Sequence, residues 1–196
     1  SILRMGVPVS PRNIFPSNIQ GLPTWYEVRI SEAGHLGARG GVDMMVAMNP
    51  QTWDKDVLAI EPGSYLFYDS TKPMPKSRFR EDVHVIGMPL TQLCNEEYSD
   101  PRQRQLFKNI IYVGALAALL DMEVAEIEKL ICEQFKGKDK LIAPNIHALH
   151  MGLDYAKANF DCPIGLRLRR ADAVGVRIFI DGNNAAALGC VYGGAT

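Results

Sequence analysis

Residues 42–70, VDMMVAMNPQTWDKDVLAIEPGSYLFYDS, decide the fold class. Val42–Met48 is nearly all apolar, which predicts a central strand covered on both faces. NPQTWDKDVLAI, residues 49–60, reads as a short helix, with Asn49 placed as N-cap and Pro50 at the first helical position. SYLFYDS, residues 64–70, reads as the next strand.

Strand and helix periods keep alternating on both sides. Upstream, TWYEVRI (24–30) alternates Trp25, Glu27 and Arg29 against Tyr26, Val28 and Ile30, the period of a strand. An extended stretch, Val7–Ile14, precedes it, and the Gly-rich SEAGHLGARGG (31–41) follows it. Downstream, Lys72–Arg80 reads as a loop and DVHVIGMP (82–89) as a further buried strand stopped by Pro89. Three helices come next. Their predicted buried stripes are Leu106, Ile110, Val113, Ala117 and Leu120; then Val124, Ile127, Ile131 and Phe135, with Asp121 as cap; then Ile146, Leu149, Leu153, Ala156 and Phe160. The expected architecture is α/β, a helix–sheet–helix layering around a mostly parallel or mixed sheet.

After Pro163 the texture changes. A basic connector, LRLRR, leads to a short strand VRIFI (176–180), then a Gly-Asn turn and an Ala-rich helix start. This places one domain over residues 1–175 and the beginning of a second over 176–196. The opening SILRMG resembles the last turn of a helix and CVYGGAT ends on a Gly pair, so the chain is expected to be a piece of a longer polypeptide.

Composition excludes several function classes. A net charge of −1 offers no broad attraction to nucleic acid. The longest apolar run, Ile110–Leu120, is well short of the ~20 residues of a membrane span. Cys94, Cys132, Cys162 and Cys190 are scattered without a C-x-x-C pair, so neither a zinc knuckle nor an iron–sulfur cluster is expected. With no signal-peptide pattern, the cytoplasm is the expected compartment.

The candidate contact residues lie in two loops. In FPSNIQGLP (15–23), Pro16 and Pro23 restrict the unfolded loop, so Ser17, Asn18 and Gln20 are held ready to present polar groups beside Gly21. In GARGG, Arg39 among glycines could hold an anion, although no Gly-Lys-Ser/Thr follows and a plain strand connection outweighs that reading. His147, His150 and Asp154 share a helical face, which suits a metal, but a surface pair explains the same spacing and no metal site is expected. Asp69 ends a buried strand, where α/β ligand sites tend to lie, yet a carboxylate there is also an ordinary capping residue. No Ser–His–Asp, Cys–His or paired-carboxylate set is present, so no catalytic residue is expected.

NIFPSNIQGLPTWYEVRIS, LFKNIIYVGALAALLDM and NIHALHMGLDYA together resemble the gamma-type domain of 2-oxoacid:ferredoxin oxidoreductases. FIDGNNAAALGCVYGGAT is similar to the start of their alpha-type domain, in the form where gamma and alpha are fused. The SNIQGLP form resembles the subunits associated with 2-oxoglutarate. The resemblance implies an enzyme that oxidatively decarboxylates a 2-oxoacid to an acyl-CoA and reduces ferredoxin. It implies thiamine diphosphate, magnesium and iron–sulfur clusters in the whole enzyme, none of them bound by this segment alone. The implied partners are the alpha-type domain of the same chain, a beta-type subunit, ferredoxin and coenzyme A. The segment's implied role is structural and subunit-contacting, with a place near the coenzyme A entrance, and it is not expected to be active alone. Gln20, Gly21 and Leu22 stand where many gamma-type sequences have Arg-Gly-Gly. A free-standing small-molecule-binding module, using the 17–21 loop and GARGG, is the competing expectation.

Overall fold

The computed structural model describes residues 1–15, 21–37, 39–178 and 180–195. β1 (Val9–Ile14) and β2 (Trp25–Ile30) form an antiparallel hairpin of their own. β3 (Val42–Ala47), β4 (Ile60–Asp69) and β5 (His84–Met88) form a parallel sheet in the order β3-β4-β5. The Asn49 carboxamide accepts the Gln51 N–H at 3.0 Å, and Pro50 opens a 3-10 turn that runs into α1 (Trp53–Leu58), as the capping pattern predicted.

The sheet is covered on both sides. On β4, Leu66 and Phe67 are both fully buried and point to opposite faces. Leu66 packs with Trp53 and Val57 of α1, together with Ala47, Ile60 and Val83. Phe67 packs with Ile86, Met88 and the helices α3 (Pro101–Leu119), α4 (Val124–Gln134) and α5 (Asp139–Asn159). This is the expected α/β layering. The central strand, however, is β4; Val42–Ala47 stands at an edge of the described sheet and is mostly half-buried.

Several local expectations change. α2 (Leu90–Glu97) is an additional helix directly after Pro89. Of the expected α3 stripe only Ala117 is fully buried; Ile110, Val113 and Leu120 are half-buried and Leu106 is 67% exposed, while Phe107, Ile111, Ala115 and Ala118 are buried beside Ala117. The cause is a close crossing. A Cβ at Gly114 would stand 1.9 Å from the Leu149 carbonyl oxygen, and one at Gly152 would stand 1.8 Å from that of Ile111. Only bare backbone fits there, which fixes the face that α3 turns inward. α4 starts at Val124 after Glu123; Asp121 has φ 54° and closes the preceding turn instead of capping. α5 begins at Asp139, so Pro144 lies inside it.

Beyond α5 the chain runs back to the start of the molecule. Ile164 and Leu168 donate to the carbonyls of Leu119 and Leu120, and Ala171 and Ala173 to those of Met5 and Gly6. The connector's Arg170 is spent on Glu123 and Glu126. Residues 176–178 are not in a strand, contrary to the VRIFI reading. α6 (Gly182–Tyr192) starts where a Gly-Asn turn was expected, capped by Asp181 accepting the Asn184 N–H, and every described residue of it is exposed.

Candidate functional site

Ser17, Asn18 and Gln20 lie outside the described residues. Gly21, in the turn that precedes β2, is exposed with φ 88°, a conformation that favours glycine. The hairpin behind it is anchored to α1. The Trp25 Nε1–H donates to Asp56 Oδ1 at 2.7 Å, and the Lys55 ammonium lies 4.0 Å from the centre of the Trp25 ring. Asp56 is only 4% exposed and also accepts from the Thr52 hydroxyl at 2.6 Å. Arg39 pairs with Asp43 at 2.6 Å, four residues on, so its charge is answered at the start of β3.

The two faces of the hairpin differ in an unexpected sense. Trp25, Glu27 and Arg29 are half-buried, and Glu27 pairs with Arg12 across the strands. The Arg29 Nε is buried without a hydrogen-bond partner. The other face carries Tyr26, 65% exposed, and Val28, 40% exposed, opposite Asn13 and Pro11. At the base of this face Ile30 packs against Met5, Val7 and Leu168. Nothing among the described residues covers its outer half.

The most tightly bound polar cluster lies at the carboxyl end of β4. Asp69 Oδ1 accepts the Thr71 N–H and hydroxyl and the Thr91 N–H, the last at the start of α2. Oδ2 accepts the Thr91 hydroxyl at 2.5 Å and pairs with the Lys108 ammonium of α3 at 2.6 Å. Thr71 Oγ1 in turn accepts the Gln92 N–H. Burial acts to raise the Asp69 pKa, but the Lys108 ammonium and the two threonine hydroxyls outweigh it and hold the carboxyl well below the usual carboxylate range. Every lone-pair direction is taken up. The cluster joins β4, α2 and α3 and leaves no acid or base free. Asp69 was visible in the sequence as a strand-ending carboxylate and Thr71 is its local partner two residues on, whereas Thr91 and Lys108 carried no local signal, because they reach it from α2 and α3.

The histidine face does not assemble a metal site. His147 Nε2 lies 2.8 Å from Glu97 at the end of α2, whereas His150 Nε2 lies 2.6 Å from Glu128 on α4. The two imidazoles serve different helices. Among the described residues no three of His, Cys, Asp or Glu are grouped so as to hold a metal ion, and the four cysteines are free and dispersed. The described residues therefore do not fit an iron–sulfur cluster or a magnesium–diphosphate site. No described helix is long and apolar enough to cross a membrane. An open cleft of about 480 Å3 lies where the post-α5 segment crosses the sheet, between Tyr65, Ile86, Phe160 and Ile164. There the Tyr65 hydroxyl accepts the Gly165 N–H at 3.0 Å, with the His84 ring stacked 5.1 Å from Tyr65.

Residues 1–155 match the family described as pyruvate ferredoxin/flavodoxin oxidoreductase. The 2-oxoacid:ferredoxin oxidoreductase 2 alpha subunit of Aeropyrum pernix is 25% identical over 99% of this chain and 36% of its own length. Ketoisovalerate oxidoreductase subunit VorA of Methanothermobacter marburgensis is 26% identical over 61% of the chain and 24% of its own. Among solved structures, the 2-oxoglutarate:ferredoxin oxidoreductase of Magnetococcus marinus, with 2-oxoglutarate, coenzyme A and succinyl-CoA bound, superposes with a TM-score of 0.81. That match has 26% identity and covers 98% of this chain and 33% of the other. The gamma subunit of a keto/oxoacid ferredoxin oxidoreductase from Geobacter sulfurreducens shares the fold at TM-score 0.59 and 20% identity, over 80% of this chain and 84% of that one. The chain spans about a third of the length of the Aeropyrum and Magnetococcus proteins.

Proposed function

The chain belongs to the pyruvate ferredoxin/flavodoxin oxidoreductase family, and from that membership we propose that it is the gamma-type segment of a 2-oxoacid:ferredoxin oxidoreductase acting on 2-oxoglutarate. The enzyme oxidatively decarboxylates the 2-oxoacid to its acyl-CoA and reduces ferredoxin. Residues 1–175 form the gamma-type domain and 176–196 begin the alpha-type domain. The observation that carries the reading is the likeness, over 98% of the chain, to a protein described with 2-oxoglutarate, coenzyme A and succinyl-CoA bound. The segment itself scaffolds and contacts. The 15–23 loop, with Ser17, Asn18, Gln20 and Gly21, and the Arg39 loop form its contact surfaces toward the alpha-type domain, a beta-type subunit and the coenzyme A entrance.

Thiamine diphosphate, magnesium and iron–sulfur clusters, which the family implies, find no fitting residue set here and are assigned to the rest of the enzyme. The working compartment is the cytoplasm. The test is ferredoxin reduction by the full-length, assembled enzyme with coenzyme A and, in turn, 2-oxoglutarate, pyruvate and 2-ketoisovalerate. The highest kcat/KM is expected with 2-oxoglutarate. A clear preference for 2-ketoisovalerate would move the assignment toward the VorA-like activity. No reduction with any of the three would favour the small-molecule-binding module.

A further inference from the structure

We propose that the outer face of the β1–β2 hairpin, centred on Tyr26 and Val28, is the seat of the polypeptide that lies outside residues 1–196 in the assembled enzyme. The proposal rests on the reading of the chain as part of a longer oxidoreductase. Its starting point is an inversion. A half-buried hairpin normally turns its apolar residues inward and its charges to water. Here burial along β2 departs from that rule: Tyr26 stands out at 65% exposure while Trp25 and Arg29 on the other face are half-covered, and Val28 is as exposed as the Glu27 side chain. The face made by Val9, Pro11 and Asn13 of β1 and Tyr26, Val28 and Ile30 of β2 holds no charged side chain. At Ile30 it is continuous with the small apolar cluster of Met5, Val7 and Leu168.

Size decides between occupants. Two six-residue strands present a face of roughly 20 by 10 Å, about 200 Å2. A stable free partner or second copy needs on the order of 800 Å2 on each side. A patch this small holds a segment only when something else already keeps that segment close, as chain linkage does by raising its effective concentration. The Aeropyrum and Magnetococcus proteins carry about three times the length of this chain in one polypeptide, which supplies such an occupant. Its contacting surface must itself be apolar and uncharged, because a charge set against Tyr26 and Val28 would be desolvated without a partner.

The experiment is alkylation kinetics on full-length, assembled enzyme carrying Tyr26→Cys, with Val28→Cys as a second variant should the first not assemble. Each is labelled with a charged maleimide, native and in urea, after the exposed Cys132 and Cys190 have been replaced by serine, and the adduct at residue 26 or 28 is quantified by peptide mass spectrometry, which leaves cluster-holding cysteines in place. The expected result is labelling in the native enzyme at least about tenfold slower than in urea, unchanged on dilution, as for a site that opens only rarely. Labelling within about threefold of the urea rate in both variants would show a free face and overturn the proposal. Protection that disappears on dilution would show a separate chain or second copy as occupant, and would overturn it equally. Ferredoxin reduction by the unsubstituted enzyme is measured alongside. Its loss would strike the functional reading, whereas protection at residue 26 reports only on the face.

Discussion

Gly114 and Gly152 face one another across the α3–α5 crossing, each so close to the opposite helix that a Cβ on either would stand within 2 Å of a backbone oxygen. Gly114→Ala and Gly152→Ala must push the helices apart along a contact that buries Ile111, Ala115, Ala148 and Leu149. Each is expected to cost about 1–3 kcal/mol or more, the range of overpacked cores. Gly189→Ala on α6, with nothing within 4 Å, is the control, expected to be neutral or stabilising by up to about 1 kcal/mol. Urea unfolding midpoints of the three variants test the contrast, and an unchanged midpoint for Gly114→Ala would remove the crossing from its place at the centre of the fold.

The Asp69 cluster predicts an acid-side loss of stability. A carboxyl held below its unfolded pKa of about 3.9 stabilises the fold fully above that pH, and the contribution fades as pH falls toward the folded value. Asp69→Asn should therefore flatten the fall of unfolding free energy between about pH 5 and pH 2.5 while lowering stability at pH 7. Lys108→Met, which leaves the carboxylate only its hydroxyl and N–H donors, is expected to cost about 2 kcal/mol at pH 7. The two effects should be strongly non-additive, since one network contains both groups. Additive losses in the double variant would show that Asp69 and Lys108 act separately.

Trp25 ties the hairpin to α1 through Asp56. Trp25→Phe keeps an aromatic ring but removes the indole donor from a carboxylate that is almost fully buried, which should cost about 1–2 kcal/mol. The loss should be local, so hydrogen exchange of β2 amides is the measurement. Faster exchange over residues 25–30, with β4 and α3 unchanged, is expected; equal acceleration everywhere would mean that the hairpin is not a separate unit.

The layered fold was legible because its signals are local. Val42–Met48 and SYLFYDS read as strands and Asn49-Pro50 as a helix start, and all three are found, although β4 begins at Ile60, inside the stretch read as helix. What the sequence concealed depends on distant segments. Ile110–Leu120 is apolar all round, so periodicity alone could not choose a face, and the choice was made by Gly152, nearly forty residues on. Edge and centre of the sheet were exchanged because Val42–Ala47 is as apolar as a central strand although β4 has neighbours on both sides. The Asp69 cluster and the inverted hairpin are likewise tertiary facts. The former draws in Thr91 and Lys108 from α2 and α3, and the latter is visible only once burial is set against the alternation already present in TWYEVRI.

Tyr98 offers a test at the alkaline end. Its ring stacks on Phe107 with centroids 4.6 Å apart, and its hydroxyl donates to Met151 Sδ at 3.7 Å. Burial first, then the neighbouring Glu97 carboxylate and the Cys94 thiol, push its pKa up to about 12. A group whose folded pKa is raised favours the fold fully below its unfolded value of about 10 and loses that contribution as pH climbs through 10 toward 12. Absorbance titration should therefore show a late-ionising component to which Tyr98 contributes together with Tyr68 and Tyr112, whose pKa values burial also raises, and Tyr98→Phe should lower its amplitude by about one tyrosine. The same variant should lose less stability between pH 9.5 and 11.5 than the unsubstituted protein, because no phenol remains to ionise in the unfolded chain. If the late component keeps its full amplitude in Tyr98→Phe, Tyr98 is not among the late-ionising tyrosines, and the α2–α3–α5 junction around Phe107 and Met151 is more open to water than its geometry implies.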